Sequence, residues 1–180
     1  EREVLEKTIF KSKKDVNKKV FVIFSENYKN IASFLRNKYP EEEYFMITPE
    51  DFDAQIKEIL NVDLSMENYN DLSKFDADLK ISHSPRIRDD IASIYYITDY
   101  DVGKTIVPIF RSYALNMDTF SSSEIFHDAN DVKKLVDFEN TYIPITKKMI
   151  ENISKKQDSL IINEIEKTLI RDFLDIEKIN

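Results

Sequence analysis

The sequence predicts an α/β to α+β fold whose core is an N-terminal β-α-β-α unit with parallel strands. Two observations carry this. Lys19-Val-Phe-Val-Ile-Phe24 and Glu43-Tyr-Phe-Met-Ile47 are short apolar runs of β-branched and aromatic residues, as strands buried on both faces require. Each is followed by apolar residues at helical spacing: Tyr28, Ile31, Ala32, Leu35 and Tyr39 after the first, and Phe52, Ile56, Ile59 and Leu60 after the second. A strand, helix, strand, helix order implies a right-handed crossover between parallel strands. With 180 residues, 42% of them hydrophobic and 33% charged, the chain is expected to bury a sizeable core.

Taken in order, Val4, Leu5, Ile9 and Phe10 suggest a short helix over residues 1–10. Pro40 stops the helix after the first strand. Thr48 is the expected N-cap of the next helix, with Pro49 at its first position and Glu50 and Asp51 in its first turn. Residues 61–82 lose periodicity. A short helix around Tyr69–Phe75 and a brief strand at Leu79 and Ile81 are expected there. Arg86 to Ala92 reads as a helical turn. Ser93-Ile-Tyr-Tyr-Ile-Thr98 and Thr105-Ile-Val-Pro-Ile-Phe110 read as the strands of a β-hairpin near 93–111, closed at Val102-Gly103. Pro108 would confine its second strand to an edge. Ser121 to Ser123 form a loop or cap, Asp128–Val136 is weakly helical, and Thr141–Ile145 is extended. Thr146 then caps a helix with Met149, Ile150 and Ile153. A longer amphipathic helix follows, its stripe running Ile162, Ile165, Leu169, Phe173, Ile176. The expected division is an α/β domain over 1–142 with a helical segment, 143–180, packed on it.

Composition narrows the chemistry. Cysteine is absent, which removes disulfides, thiolate zinc sites and thiol catalysis and fits a reducing intracellular compartment. No apolar run approaches the roughly 20 residues that cross a bilayer, so no membrane partner is expected. The single glycine, Gly103, leaves little material for backbone loops around phosphate. The net charge is −8. Residues 1–20 hold seven Lys/Arg against four acids, a local +3 that leaves −11 elsewhere. Nucleic acid is therefore a partner only locally, through Lys11, Lys13, Lys14, Lys18 and Lys19. The chain opens on Glu1 rather than Met, from which a fragment of a larger protein is expected.

No motif is specific to one chemistry. Gly103-Lys104-Thr105 ends like a phosphate-binding loop, but the position five before Gly103 is Thr98, and Asp99 and Asp101 would repel phosphate. Ser25-Glu26-Asn27 occupies the mouth of strand one, where a doubly wound fold holds its ligand, so Ser25 and Asn27 are candidate ligand contacts. Asp78 and Lys80 resemble the tail of a metal-dependent nuclease site, with Glu50 or Asp51 as the upstream acid. Asp89, Asp90, Asp99 and Asp101 would hold a cation if residues 86–101 folded back. The two histidines, His83 and His127, lie in polar segments with no nucleophile placed by spacing.

Two functions follow. The first is a non-enzymatic structural, assembly or protein-interaction domain, without cofactor, meeting a protein partner or itself through Ile162, Ile165, Leu169, Phe173 and Ile176. The alternative is a small α/β domain acting on a nucleotide or nucleic acid. It would use Ser25, Asn27, Gly103, Lys104 and Thr105 for binding, and Asp78, Lys80, Asp99 and Asp101 as a metal-dependent acidic site. Ile143-Pro-Ile-Thr-Lys-Lys-Met-Ile-Glu-Asn152, followed by a long helix ending Ile179-Asn180, resembles the segment of tailed-phage major capsid proteins where an extended strand meets the spine helix. The resemblance covers at most residues 84–180, with the hairpin at 93–111 preceding it. It implies a viral shell subunit without catalytic residues, whose chain continues further.

Overall fold

The computed structural model describes residues 2–11, 13, 15–64, 67–68, 71, 86–114, 116–126 and 132–144. The elements are α1 (Arg2–Lys11), β1 (Lys19–Ser25), α2 (Lys29–Lys38), β2 (Glu43–Ile47), α3 (Phe52–Leu60), β3 (Ile91–Ile97), α4 (Tyr100–Tyr113), β4 (Asp118–Ser121) and β5 (Thr141–Tyr142). Short 3-10 turns follow β1 at Glu26–Tyr28 and link β4 to β5 at Ser123–Phe126 and Val132–Phe138. The five strands form one sheet in the order β2-β1-β3-β4-β5, parallel throughout. This is one of the two common strand orders of doubly wound α/β sheets. The expected β-α-β-α start is present, with β2 on the expected residues.

Alternation along β1 and β3 explains why both read as continuous apolar runs. Phe21 and Ile23 of β1, with Ile94 and Tyr96 of β3, face α3 and α4 in one core. Val20, Val22 and Phe24, with Tyr95 and Ile97, face α1 and α2 in the other. Each such aliphatic or aromatic side chain stabilises the sheet by about 1.5–3 kcal/mol when fully buried. On the second face Phe10 of α1 stacks on Tyr39, ring centroids 4.3 Å apart, and meets Tyr95 edge-on.

Four expectations are corrected. The hairpin near 93–111 does not form: only its first half is a strand, and residues 100–113 are helix α4. The reason is local. Asp99 caps the helix, its side chain accepting from Val102 N at 3.0 Å. Tyr100, Gly103, Ile106, Val107 and Phe110 then make one buried helical face. Pro108 sits inside that helix. The helical turn expected at Arg86–Ala92 is instead an irregular approach into β3. Thr48 does not cap α3; Asp51 does, accepting from Ala54 N at 3.0 Å, so Pro49 precedes the helix. Thr48 is held by Gln55, whose side chain accepts from Thr48 N and donates to Thr48 O, both at 3.0 Å. Finally, β4 occupies Asp118–Ser121, where no strand was expected and Ser121 was read as the start of a loop or cap. The C-terminal helical segment, the Tyr69–Phe75 helix and the Leu79–Ile81 strand lie outside the described residues, apart from Asp71.

Candidate functional site

The chain crosses over its own start between β1 and β3. From β1 it steps outward to β2, then returns past β1 to β3 and continues to β4 and β5. In open α/β sheets the crevice outside the carboxyl ends of such a strand pair is where ligands bind. Here Phe24 pairs with Ile97, so Ser25 and Thr98 stand side by side at the end of the two strands, about 4.8 Å apart at the backbone. By alternation both follow Ile23 and Tyr96 onto the α4 face.

Both hydroxyls are unmatched. Ser25 is 6% exposed and Thr98 0%, and neither oxygen has a hydrogen-bond partner among the described residues. Ser25 has the extended backbone of an N-cap, φ −86° and ψ 162°, yet its side chain makes no cap bond. Ser122 adds a third such hydroxyl one strand further on, its backbone N donating to Tyr96 O at 2.9 Å. Alternation with Phe120 puts that side chain on the opposite face. The Tyr96 hydroxyl, two residues before Thr98, is also buried without a partner among the described residues, and burial pushes its pKa well up. The Tyr39 hydroxyl, also buried without a partner among the described residues, lies away from this site, beside Glu42 at the amino edge of the sheet. A buried polar group left unmatched costs about 1–3 kcal/mol, so the adjacent Ser25 and Thr98 hydroxyls at the ends of β1 and β3 call for a partner.

The charge around this edge is acidic and mostly engaged. Asp99 caps α4, and Asp101 is paired with Lys104, whose pKa is raised by that hydrogen bond. Glu26 is exposed in the 3-10 turn beside exposed Asn27. With two carboxylates already at the positive end of α4, a bare anion gains little there. Gly103 lets the helix approach: a Cβ on it would stand 3.1 Å from Thr98 Oγ1 and 3.0 Å from a ring carbon of Phe138.

The opposite edge of the sheet is built differently. Glu42 is buried, accepting from Val20 N and from Lys13 Nζ, each at 2.6 Å. Arg88 grips Glu43 through both terminal nitrogens at 2.9 Å and reaches Asp90 at 2.6 Å, its guanidinium 4.6 Å over the Phe21 ring. Lys19 joins Glu43 at 2.6 Å. Hydrogen bonds from Arg88 hold the Glu43 and Asp90 carboxyls below their ordinary pKa values.

Of the candidate residues, the structure brings Ser25, Asn27, Asp99 and Asp101 to the carboxyl edge. Gly103, Lys104 and Thr105 lie within the first two turns of α4 and form no phosphate loop. Asp90 precedes β3 and Asp99 follows it, so seven strand residues separate Asp89 and Asp90 from Asp99 and Asp101. The four acids therefore do not gather on one cation. No group of three or more His, Cys, Asp and Glu able to hold a metal exists among the described residues. Lys13 and Lys19 are engaged in ion pairs rather than presented as a basic patch. No helix among the described residues is long and apolar enough to cross a membrane. Asp78, Lys80, His83, His127 and the stripe from Ile162 to Ile176 lie outside the described residues, as does Lys14. Sequence reasoning missed Thr98 and Ser122. The signal was a small hydroxyl residue directly ending an apolar run, the same in Phe24-Ser25 and Ile97-Thr98.

No protein-family model, curated protein or solved structure matches this chain.

Proposed function

We propose that the domain binds a small, hydroxyl-bearing polar ligand, a nucleoside or nucleotide, in the crevice outside the carboxyl ends of β1 and β3. One observation carries the reading: the Ser25 and Thr98 hydroxyls are buried, adjacent and without partners among the described residues, at the point where the strand order reverses. A hydroxyl both donates and accepts, so the pair suits a ribose or an amide-bearing base. The carboxylates of Glu26, Asp99 and Asp101 argue that phosphate adds affinity only when a divalent cation accompanies it.

Calorimetric or NMR titration with nucleosides, and with nucleotides with and without Mg²⁺, tests this. Nucleosides should bind, phosphate without Mg²⁺ should not strengthen binding, and Ser25→Ala should weaken it about tenfold. Failure of every ligand to bind at millimolar concentration, or equal binding by the variant, would overturn the proposal.

A second reading, assembly with a protein partner or with itself, is favoured by the two edge strands. Among the described residues β2 and β5 have one unpaired side each, and Met46 and Tyr142 on them are 44% and 47% exposed. Open edges are templates for pairing with another chain. A molar mass that stays monomeric up to high concentration would exclude self-assembly.

A further inference from the structure

Resting on the ligand site proposed above, we infer that residues 135–140 form a strap that gates it, closed in this structure by the Phe138 ring. Thr98 is fully buried and Ser25 nearly so. A ligand therefore meets their hydroxyls only when a neighbouring element moves. Two elements meet at Thr98 on the α4 face. A Cβ on Gly103 would touch both Thr98 Oγ1 and the Phe138 ring, so ring and hydroxyl are neighbours across the glycine.

The two elements are anchored unequally. Helix α4 is capped by Asp99 and buries Tyr100, Gly103, Ile106, Val107 and Phe110. Of residues 135–140, Phe138 alone is buried, while Val136 is 68% exposed and Glu139 and Asn140 are exposed. Phe138 rests on Tyr100, ring centroids 5.9 Å apart. The end of the strap is tied at the surface, where Arg111 Nη1 donates to Glu139 O at 2.9 Å. Asn140, which also accepts from Thr119 Oγ1 at 3.0 Å, has φ 62°. Asn tolerates that left-handed backbone better than most residues, which suits it to a hinge where the strap turns into β5. A small cavity lined by Val107, Arg111, Ala114 and Met117 lies against Glu139 and Asn140, so this end is not closely packed on α4. Segments with few buried contacts and exposed hydrogen bonds open before the rest of a fold. A site reached only through the open form binds with an apparent Kd divided by the open fraction, so the strap sets the affinity of the crevice without touching the ligand.

The chain has no cysteine, so Thr98→Cys puts a single thiol in the crevice and tests the gate without a ligand. Its rate of reaction with a small aqueous disulfide reagent is divided by the rate in the urea-unfolded chain. The reference is Ala32→Cys, 1% exposed on the α2 face and away from the strap. On that scale Thr98→Cys should react at least about tenfold faster than Ala32→Cys, through local opening. Arg111→Met removes the surface tie and should speed Thr98→Cys a further fivefold or so, leaving Ala32→Cys unchanged. Where a nucleoside binds, Arg111→Met should raise its association rate by the same factor. Equal rates at the two positions, or no response to Arg111→Met, would overturn the gate. Fast, Arg111-sensitive labelling in a chain that binds no nucleoside would uphold the gate and remove only its ligand.

Discussion

The two ends of strand β3 are two residues short of ten apart in sequence and opposite in chemistry. At the amino end Asp90, Arg88, Glu43 and Lys19 saturate one another, and beside them Glu42 closes the backbone of Val20. At the carboxyl end Thr98 and its neighbour Ser25 are buried with nothing to bond among the described residues. The contrast teaches where polarity serves the fold and where it does not. A group that stabilises the native state is satisfied within it; a group that is buried and unsatisfied lowers stability until something else arrives.

The largest effect that would sharpen the comparison is at Glu42. Its removal leaves the Val20 N–H without its partner and the nearly buried Lys13 ammonium with only the Lys18 carbonyl. Breaking a buried pair from one side costs about 3–5 kcal/mol. Glu42→Ala should therefore lose that much in urea denaturation, and a loss under 1 kcal/mol would mean the amino edge is held by packing instead.

Gly103→Ala comes next and probes the carboxyl edge. Alanine is the better helix former by about 1 kcal/mol, which on its own predicts a gain. The new methyl would stand 3.0 Å from Phe138 and 3.1 Å from Thr98. Overpacking of that kind costs about 1–3 kcal/mol, so the net expectation is a loss of about 1 kcal/mol. A rise in Tm would show that Phe138 moves aside and that the ligand edge is softer than its geometry suggests.

These two sites also mark how much the sequence discloses. The first four elements after α1 are legible because the apolar positions that carry their period, Val20–Phe24, Ala32, Leu35, Ile47, Ile56, Ile59 and Leu60, are buried. Residues 100–113 were not, because Ile106, Val107, Ile109 and Phe110 are strand-forming types and Gly103 reads as a turn. What decided the matter was the Asp99 cap and a buried face that only a helix aligns. β4 was illegible since Phe120 is its one large apolar residue. Ser25 was legible as the mouth of strand one. Thr98 was hidden inside an expected hairpin, and its pairing with Ser25 exists only in three dimensions. The Arg88 clasp joins residues 45 apart, which no local pattern reveals.

Acid tests the amino edge with a smaller effect. Glu43 and Asp90 have native pKa values below their ordinary 4.5 and 3.8. The native state thus binds fewer protons than the unfolded chain, so their contribution is complete above about pH 5 and is lost as pH falls through the lowered native values. Asp90 is 38% exposed at its side chain, so solvent screens part of this, and about 1 kcal/mol is expected for the clasp. Arg88→Met should flatten the stability profile between about pH 5 and pH 3. An unchanged slope would place the acid sensitivity elsewhere.

The smallest expected change has the most informative sign. Thr98→Val keeps shape and removes a buried hydroxyl that no described group meets. Deleting a matched group such as Glu42 at the amino edge destabilises; here the deletion should stabilise, by about 0.5–1 kcal/mol, because an unmatched polar atom leaves the interior. The same substitution should weaken the ligand that the Ser25–Thr98 pair receives. A hydroxyl held for the fold would lose stability on deletion, whereas one held for a ligand gains stability and loses affinity. Denaturation and titration of one variant therefore separate the two roles, and a loss in both would return Thr98 to the architecture.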